Sequence, residues 1–196
     1  MSMILQLKRA SDEDISRLQK QPWLIQRFLY PEDNIEDEES KAISFFEKLA
    51  IFFKRSEAVQ KVEFDQYDFE ELDLDKTWHA LYYLLTGQAE NGDGPGAYLL
   101  GCEPIGSEDV GYGPAQAISS QQTRALSGYL NSLDTKDVLA RFDAQAMTRL
   151  DIYPSIWDRE EDLSDMAEWL GEAFDDLRTY GQKCAQQRLG MISWIS

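Results

Sequence analysis

The stretch LDLDKTWHALYYLLTG, residues 72–87, decides how the chain is read. Trp78, Leu81, Tyr82 and Leu85 recur at helical spacing and form one apolar face, while His79, Tyr83 and Thr86 follow the neighbouring line. Asp75 is placed to cap a helix over 76–86, and Gly87 to end it in a left-handed conformation. The segment therefore predicts an amphipathic helix with a core-building face. It also carries the chain's single histidine.

Working outward, the same periodicity predicts helices over 39–54, 120–133 and 160–188, with shorter ones at 11–20, 22–30, 134–142 and 144–150. Ser11 with Asp14 resembles a capping box, Ser120 is the expected cap of the helix it begins, and Gly190 the expected stop of the last one. MILQL at 3–7 and MISWI at 191–195 read as strands able to pair with each other, and Ala97–Gly101 as a further short strand. The remainder of the glycine- and proline-rich run 88–114 reads as loop, and DIYPSIWD at 151–158 as an extended connection, because Pro154 disfavours helix at Tyr153. The expected fold is α+β: a mostly helical single domain, 1–196, packed around a small sheet with its terminal strands paired.

Charge supplies the second constraint. The 196 residues carry a formal net charge of −17, concentrated in acidic surface segments at 31–39 and 62–73 and in the first half of the last helix. Nucleic acid and anionic membrane are poor partners for such a surface, because phosphate binding draws on clustered Lys and Arg. A basic protein is the fitting partner. No apolar run approaches the roughly 18 residues of a membrane span, and the N-terminus lacks a secretory pattern, so a cytoplasmic location is expected.

The chemistry-bearing residues are sparse. Two cysteines, Cys102 and Cys184, and one histidine suit neither a disulfide framework nor a zinc site, and no metal or cofactor is expected. Gly101, Gly106, Gly111 and Gly113 match no phosphate-binding motif; Gly111-Tyr112-Gly113-Pro114 reads as a rigid turn presenting Tyr112. Cys102, in a loop, is a candidate for reactivity, whereas Cys184 lies on an apolar helix line. His79 has two readings: a histidine holding a backbone carbonyl beside core aromatics, or an acid/base bordering a cleft between the 76–86 helix and the 101–114 loop. Trp23, Tyr112, Tyr153 and Trp157 are aromatics that suit either a protein-binding surface or the core.

Three segments, DLDKTWHALYYLLTG (73–87), VGYGPAQAI (110–118) and RFDAQAM with IYPSIWD (141–147 and 152–158), together resemble the YfbM-like family, a bacterial domain of unknown function. The resemblance covers essentially the whole chain. It implies an α+β fold and no transferable reaction. It gathers Asp75, Lys76, Trp78, His79, Leu85, Thr86, Gly87, Gly111, Tyr112, Gly113, Pro114, Tyr153, Pro154 and Trp157 as either one shared surface or the packing signature of the fold. With Tyr83 added from the helix line of His79, the expected binding residues are Asp75, Trp78, His79, Tyr83, Thr86, Tyr112, Tyr153 and Trp157. With no catalytic motif found, the expectation is a non-enzymatic acidic protein-binding module, immunity- or antitoxin-like. The alternative is a small-molecule-binding protein or enzyme using a cleft near His79. The oligomeric state is left open.

Overall fold

A computed structural model describes residues 2–31, 64–65, 67, 71–159 and 162–196. The expected acidic connection at 31–39, apart from its first residue, the helix at 39–54 and much of the 62–70 stretch lie outside the described residues.

The terminal strands pair as expected, at the centre of the sheet. Strand β1 (Leu5–Ala10) runs antiparallel to β5 (Gly190–Ile195) along its full length, from Leu5 opposite Ile195 to Ala10 opposite Gly190. Ile4 and Ser196 extend the ladder by exchanging backbone hydrogen bonds of 2.9 and 3.0 Å. β1 therefore starts later and reaches further than the 3–7 reading. On its other side β1 takes β2 (Leu72–Asp73), while β5 takes β4 (Gln116–Ile118), which in turn pairs with the edge strand β3 (Glu103–Pro104). The order is β2-β1-β5-β4-β3, antiparallel throughout.

Side chains alternate across this sheet, and both faces are covered. Leu5, Leu7, Ile118 and Met191 enter the larger core, with helices α3 (Trp78–Thr86), α4 (Ser120–Asn131) and α7 (Leu163–Gln186). Ala10, Ala117, Ile192 and Trp194 enter the smaller one, with α1 (Asp12–Lys20) and α2 (Ile25–Leu29). The short helices α5 (Thr135–Leu139) and α6 (Ala144–Arg149) complete the larger side through Val138 and Met147. The run MISWI, apolar but for the buried Ser193, is thus a strand buried on both sides.

Several boundaries shift for local reasons. Ser119, not Ser120, caps α4: its hydroxyl accepts from Gln122 N–H while Gln122 bonds back to Ser119 N–H, a full capping box. Asp75 does not cap α3. It has φ of 44°, donates its N–H to Asp73 Oδ1 at 2.6 Å, and opens a 3-10 turn (Asp75–Thr77) that leads into the helix. Gly87 ends α3 as expected, with φ of 74° and its N–H on Tyr83 O. Ala97–Gly101 is not a strand, because Pro95 starts a 3-10 helix over Pro95–Leu100 that buries Leu99. The 151–158 connection is a series of turns around a cis Tyr153–Pro154 bond rather than extended chain.

Gly190 does not stop the last helix. Arg188 takes the left-handed position (φ 60°), with Leu189 N–H on Cys184 O and Arg188 N–H on Ala185 O, the two bonds of a Schellman motif. Gly190 is instead the first residue of β5, where a Cβ would lie 2.4 Å from Ile118 O and 2.5 Å from Ile15 Cδ1. The described remnant of the acidic 62–73 stretch is tied down by cations of β1. Arg9 donates to Tyr67 O at 2.7 Å, and Lys8 pairs with Glu71 at 2.5 Å.

Candidate functional site

The residues singled out in the sequence separate into two places. Of the eight candidate binding residues, all but Tyr112 belong to the α3 side of the sheet. His79 projects from the first turn of α3 and uses both ring nitrogens on backbone. Nδ1 accepts Tyr153 N–H at 3.0 Å, which leaves the proton on Nε2, donated to Ala89 O at 2.9 Å. Trp78 stacks on His79 (ring centroids 5.0 Å apart) and on Tyr153 (5.9 Å). Its indole N–H reaches Met3 O, and Met3 N–H in turn donates to the Tyr153 hydroxyl. One aromatic cluster thereby joins the start of the chain, α3 and the 151–157 turns.

The rest of that surface is similarly engaged. Trp157 is buried, donating to Ile152 O and meeting the Phe142 ring edge-on. Thr86 Oγ1 donates to Tyr82 O and accepts from Gln88 N–H, while Tyr83 lies half-buried against the core. The Tyr82 hydroxyl accepts Gly92 N–H. The segment that folds over α3 is therefore 88–94.

The cleft expected between α3 and the 101–114 loop does not form, because the sheet lies between them. Beyond β3, Ile105, Val110 and Ala115 enter the smaller core with Leu24, Ile25 and Phe28. Gly106 lies against Pro22, and Gly111 against the backbone of Ile195 and Ser196, where a Cβ would come within 2.3 Å of Ile195 O. Apolar anchors at both ends of the loop outweigh whatever its glycines leave undetermined.

On that side the Gly-Tyr-Gly turn is held tightly. Asp109 Oδ1 accepts the N–H groups of Gly111 and Gly113, each at 2.9 Å, Val110 N–H reaches Gly113 O, and Tyr112 N–H reaches Ile195 O at 2.8 Å. The two glycine donors, Gly111 foremost, hold the Asp109 carboxyl below its usual range. The Tyr112 side chain, with its backbone so fixed, stays 46% exposed, and Trp23 on the same side of the sheet is 45% exposed. Of the four aromatics considered for a binding surface, these two face solvent, whereas Trp157 is core.

Neither thiol is poised for nucleophilic chemistry. Burial, and then the nearby Glu103 charge, raises Cys102, and burial pushes Cys184 to about 12. Among the described residues, no three His, Cys, Asp or Glu side chains converge on a metal position, and no helix is long and apolar enough to cross a membrane.

A cleft of about 290 Å³ escaped the sequence reading. It lies between α1, strands β3 and β4 and the start of α4, and is lined on its apolar side by Ile15 and Ala117. Asp12, Gln19, Glu103 and Gln122 give it a polar wall. Asp12, Ile15, Ser16 and Gln19 come from one face of α1, at i, i+3, i+4 and i+7. That spacing was readable, but the pairing of β4 that brings Glu103 and Gln122 opposite was not.

The fold and these surfaces define a single-domain α+β protein, helical on both sides of a sheet closed by its two ends. The chain belongs to the family described as a domain of unknown function, DUF1877, whose profile matches residues 1–194. Among solved structures it is similar to a protein of unknown function, YfbM from Escherichia coli. Identity is 19% over 99% of this chain and 100% of that one, with a TM-score of 0.63, a likeness of fold. No curated protein matches the chain.

Proposed function

We infer that the protein is a non-enzymatic, acidic protein-binding module, immunity- or antitoxin-like, that engages a basic protein partner in a bacterial cytoplasm. The observation that carries this reading is the Asp109-bound turn, which holds Tyr112 exposed on a fixed backbone beside Glu108 and Asp109. A rigid aromatic anchor with a charged rim is how protein interfaces concentrate affinity, since little side-chain and loop entropy is lost on binding. The net charge of −17 would steer a cationic partner to it. The alternative reading, a ligand site or enzyme with His79 as acid/base, would require the ring to give up one of its two backbone hydrogen bonds.

The test is affinity purification from the native cell at low and moderate salt, with Tyr112→Ala as comparison. A stoichiometric basic partner whose association slows with salt, and which Tyr112→Ala weakens, is expected. Recovery of no such partner at either salt concentration overturns the reading.

A further inference from the structure

We propose that Asn91 is a site of spontaneous covalent modification, cyclising with the Gly92 nitrogen to a succinimide, and that the Tyr82 hydroxyl holds this reaction back. The pair lies in the segment 88–94, where Asn91 is exposed and takes a left-handed φ of 54°, a conformation that asparagine tolerates better than most residues. Glycine is required at 92, because a Cβ there would come within 2.7 Å of Thr86 Cβ. The turn and the close approach to α3 thus bring together the two residues whose sequence is chemically labile. Asparagine is a thermolabile side chain, and its cyclisation meets least hindrance when the attacking nitrogen has no Cβ beside it.

The reaction needs only water. Gly92 N forms a bond to Asn91 Cγ, the Cγ–Nδ2 bond breaks, and Nδ2 leaves as ammonia with the proton lost from Gly92 N. Water then opens the ring: attack at Cγ gives aspartate, and attack at the Asn91 carbonyl carbon gives isoaspartate, whose main chain is one methylene longer. In the folded chain the attacking nitrogen is occupied. Gly92 N–H donates to the hydroxyl of the buried Tyr82 at 2.7 Å, and that bond must break before the nitrogen can lose its proton and reach Cγ. Two further side chains of α3 oppose the lifting of the segment, since Thr86 Oγ1 accepts Gln88 N–H and His79 Nε2 donates to Ala89 O. Modification therefore proceeds through local opening of 88–94. Isoaspartate, with its longer main chain and a new carboxylate between Glu90 and Asp93, no longer seats Ala89 and Gly92 on α3 together.

The experiment is peptide mapping by mass spectrometry of the full chain aged at mildly alkaline pH, folded and in guanidinium chloride. Asn91 should convert to aspartate and isoaspartate at least about tenfold more slowly in the folded chain, because hydrogen bonds oppose the opening. Tyr82→Phe keeps the ring and should speed conversion in the folded protein about fivefold, the rate equivalent of one net hydrogen bond. Ile15→Val, which loosens the smaller core on the other side of the sheet, should leave the rate unchanged. Asn131, helical and with its amide donating to Ser127 O, is the internal reference and should stay intact in the folded chain. Amide exchange at Gly92 in the parent chain checks the same bond without a variant, and should be slower than in the unfolded chain. Equal conversion of Asn91 in folded and unfolded chains, conversion of Asn131 alongside it, indifference to Tyr82→Phe, equal acceleration by Ile15→Val, or an unprotected Gly92 amide each overturn the proposal.

Discussion

The His79 cluster and the Tyr112 turn use the same device to opposite ends. In each, polar side-chain atoms take up backbone N–H groups of a turn that has no regular structure of its own. His79 accepts from Tyr153, and Asp109 accepts from Gly111 and Gly113. Around His79 the result is inward: Trp78, Tyr153 and Trp157 stack or bury, and their polar atoms are spent on the chain. Around Asp109 it is outward, with the tyrosine ring left in solvent above a fixed backbone. A side chain that is both chemically distinctive and fully bonded to its own backbone is doing structural work. One that is exposed on a backbone held by others is available to a partner.

The comparison breaks most readily on the inward side. Trp157→Ala removes a side chain only 1% exposed together with its bond to Ile152 O, and about 3–5 kcal/mol of stability should go with it in urea denaturation. His79→Ala orphans Tyr153 N–H and Ala89 O and should cost about 1–3 kcal/mol. A variant that loses no stability, yet loses an activity or ligand, would transfer His79 from the structural group to the functional one. Tyr112→Ala sharpens the contrast from the other side. Its stability should stay within about 0.5 kcal/mol of the parent, while partner affinity falls by about 2 kcal/mol if the ring is an interface anchor.

The large elements were legible because each was specified by its own residues. The α3 stripe, the line from Met166 to Cys184 in α7, and the apolar run 191–195 each announce an element without needing a neighbour. What was hidden depends on partners distant in sequence. Gln116–Ile118 is a strand because Met191–Ser193 pairs with it, and β3 exists only because β4 does. Ala97–Leu100 is apolar enough for strand or helix, and Pro95 with the packing of Leu99 resolves it. Two adjacent serines made the start of α4 ambiguous, although Gln122 at the third helical position selects Ser119. As for the site, Tyr112 in its rigid turn was readable from Gly-Tyr-Gly-Pro, whereas the side of the sheet on which it emerges was not. That depends on Ile105 and Val110 joining the smaller core.

The smallest effect expected is also the one most specific to the outward turn. Asn at position 109 keeps an oxygen for the Gly111 and Gly113 N–H groups, so Asp109→Asn should preserve the turn while removing its charge. The Asp109 carboxyl is lowered from its ordinary value of 3.8 by those two donors. Between the lowered value and 3.8 the unfolded chain binds the proton and the folded chain does not, so stability rises with pH there. The carboxylate's contribution is therefore complete above 3.8 and lost as pH falls through the folded value. Asp14 runs the other way, since burial raises it; its share is complete below 3.8 and lost as pH rises through its folded value. The many other carboxylates titrate in both proteins, so the difference between parent and Asp109→Asn isolates the turn. In thermal melts from pH 7 to pH 2.5 that difference should be constant at the upper end and shrink below 3.8. A difference that stays flat through the acid range would mean that the glycine N–H groups do not grip the carboxylate, and the fixed presentation of Tyr112 would lose its cause.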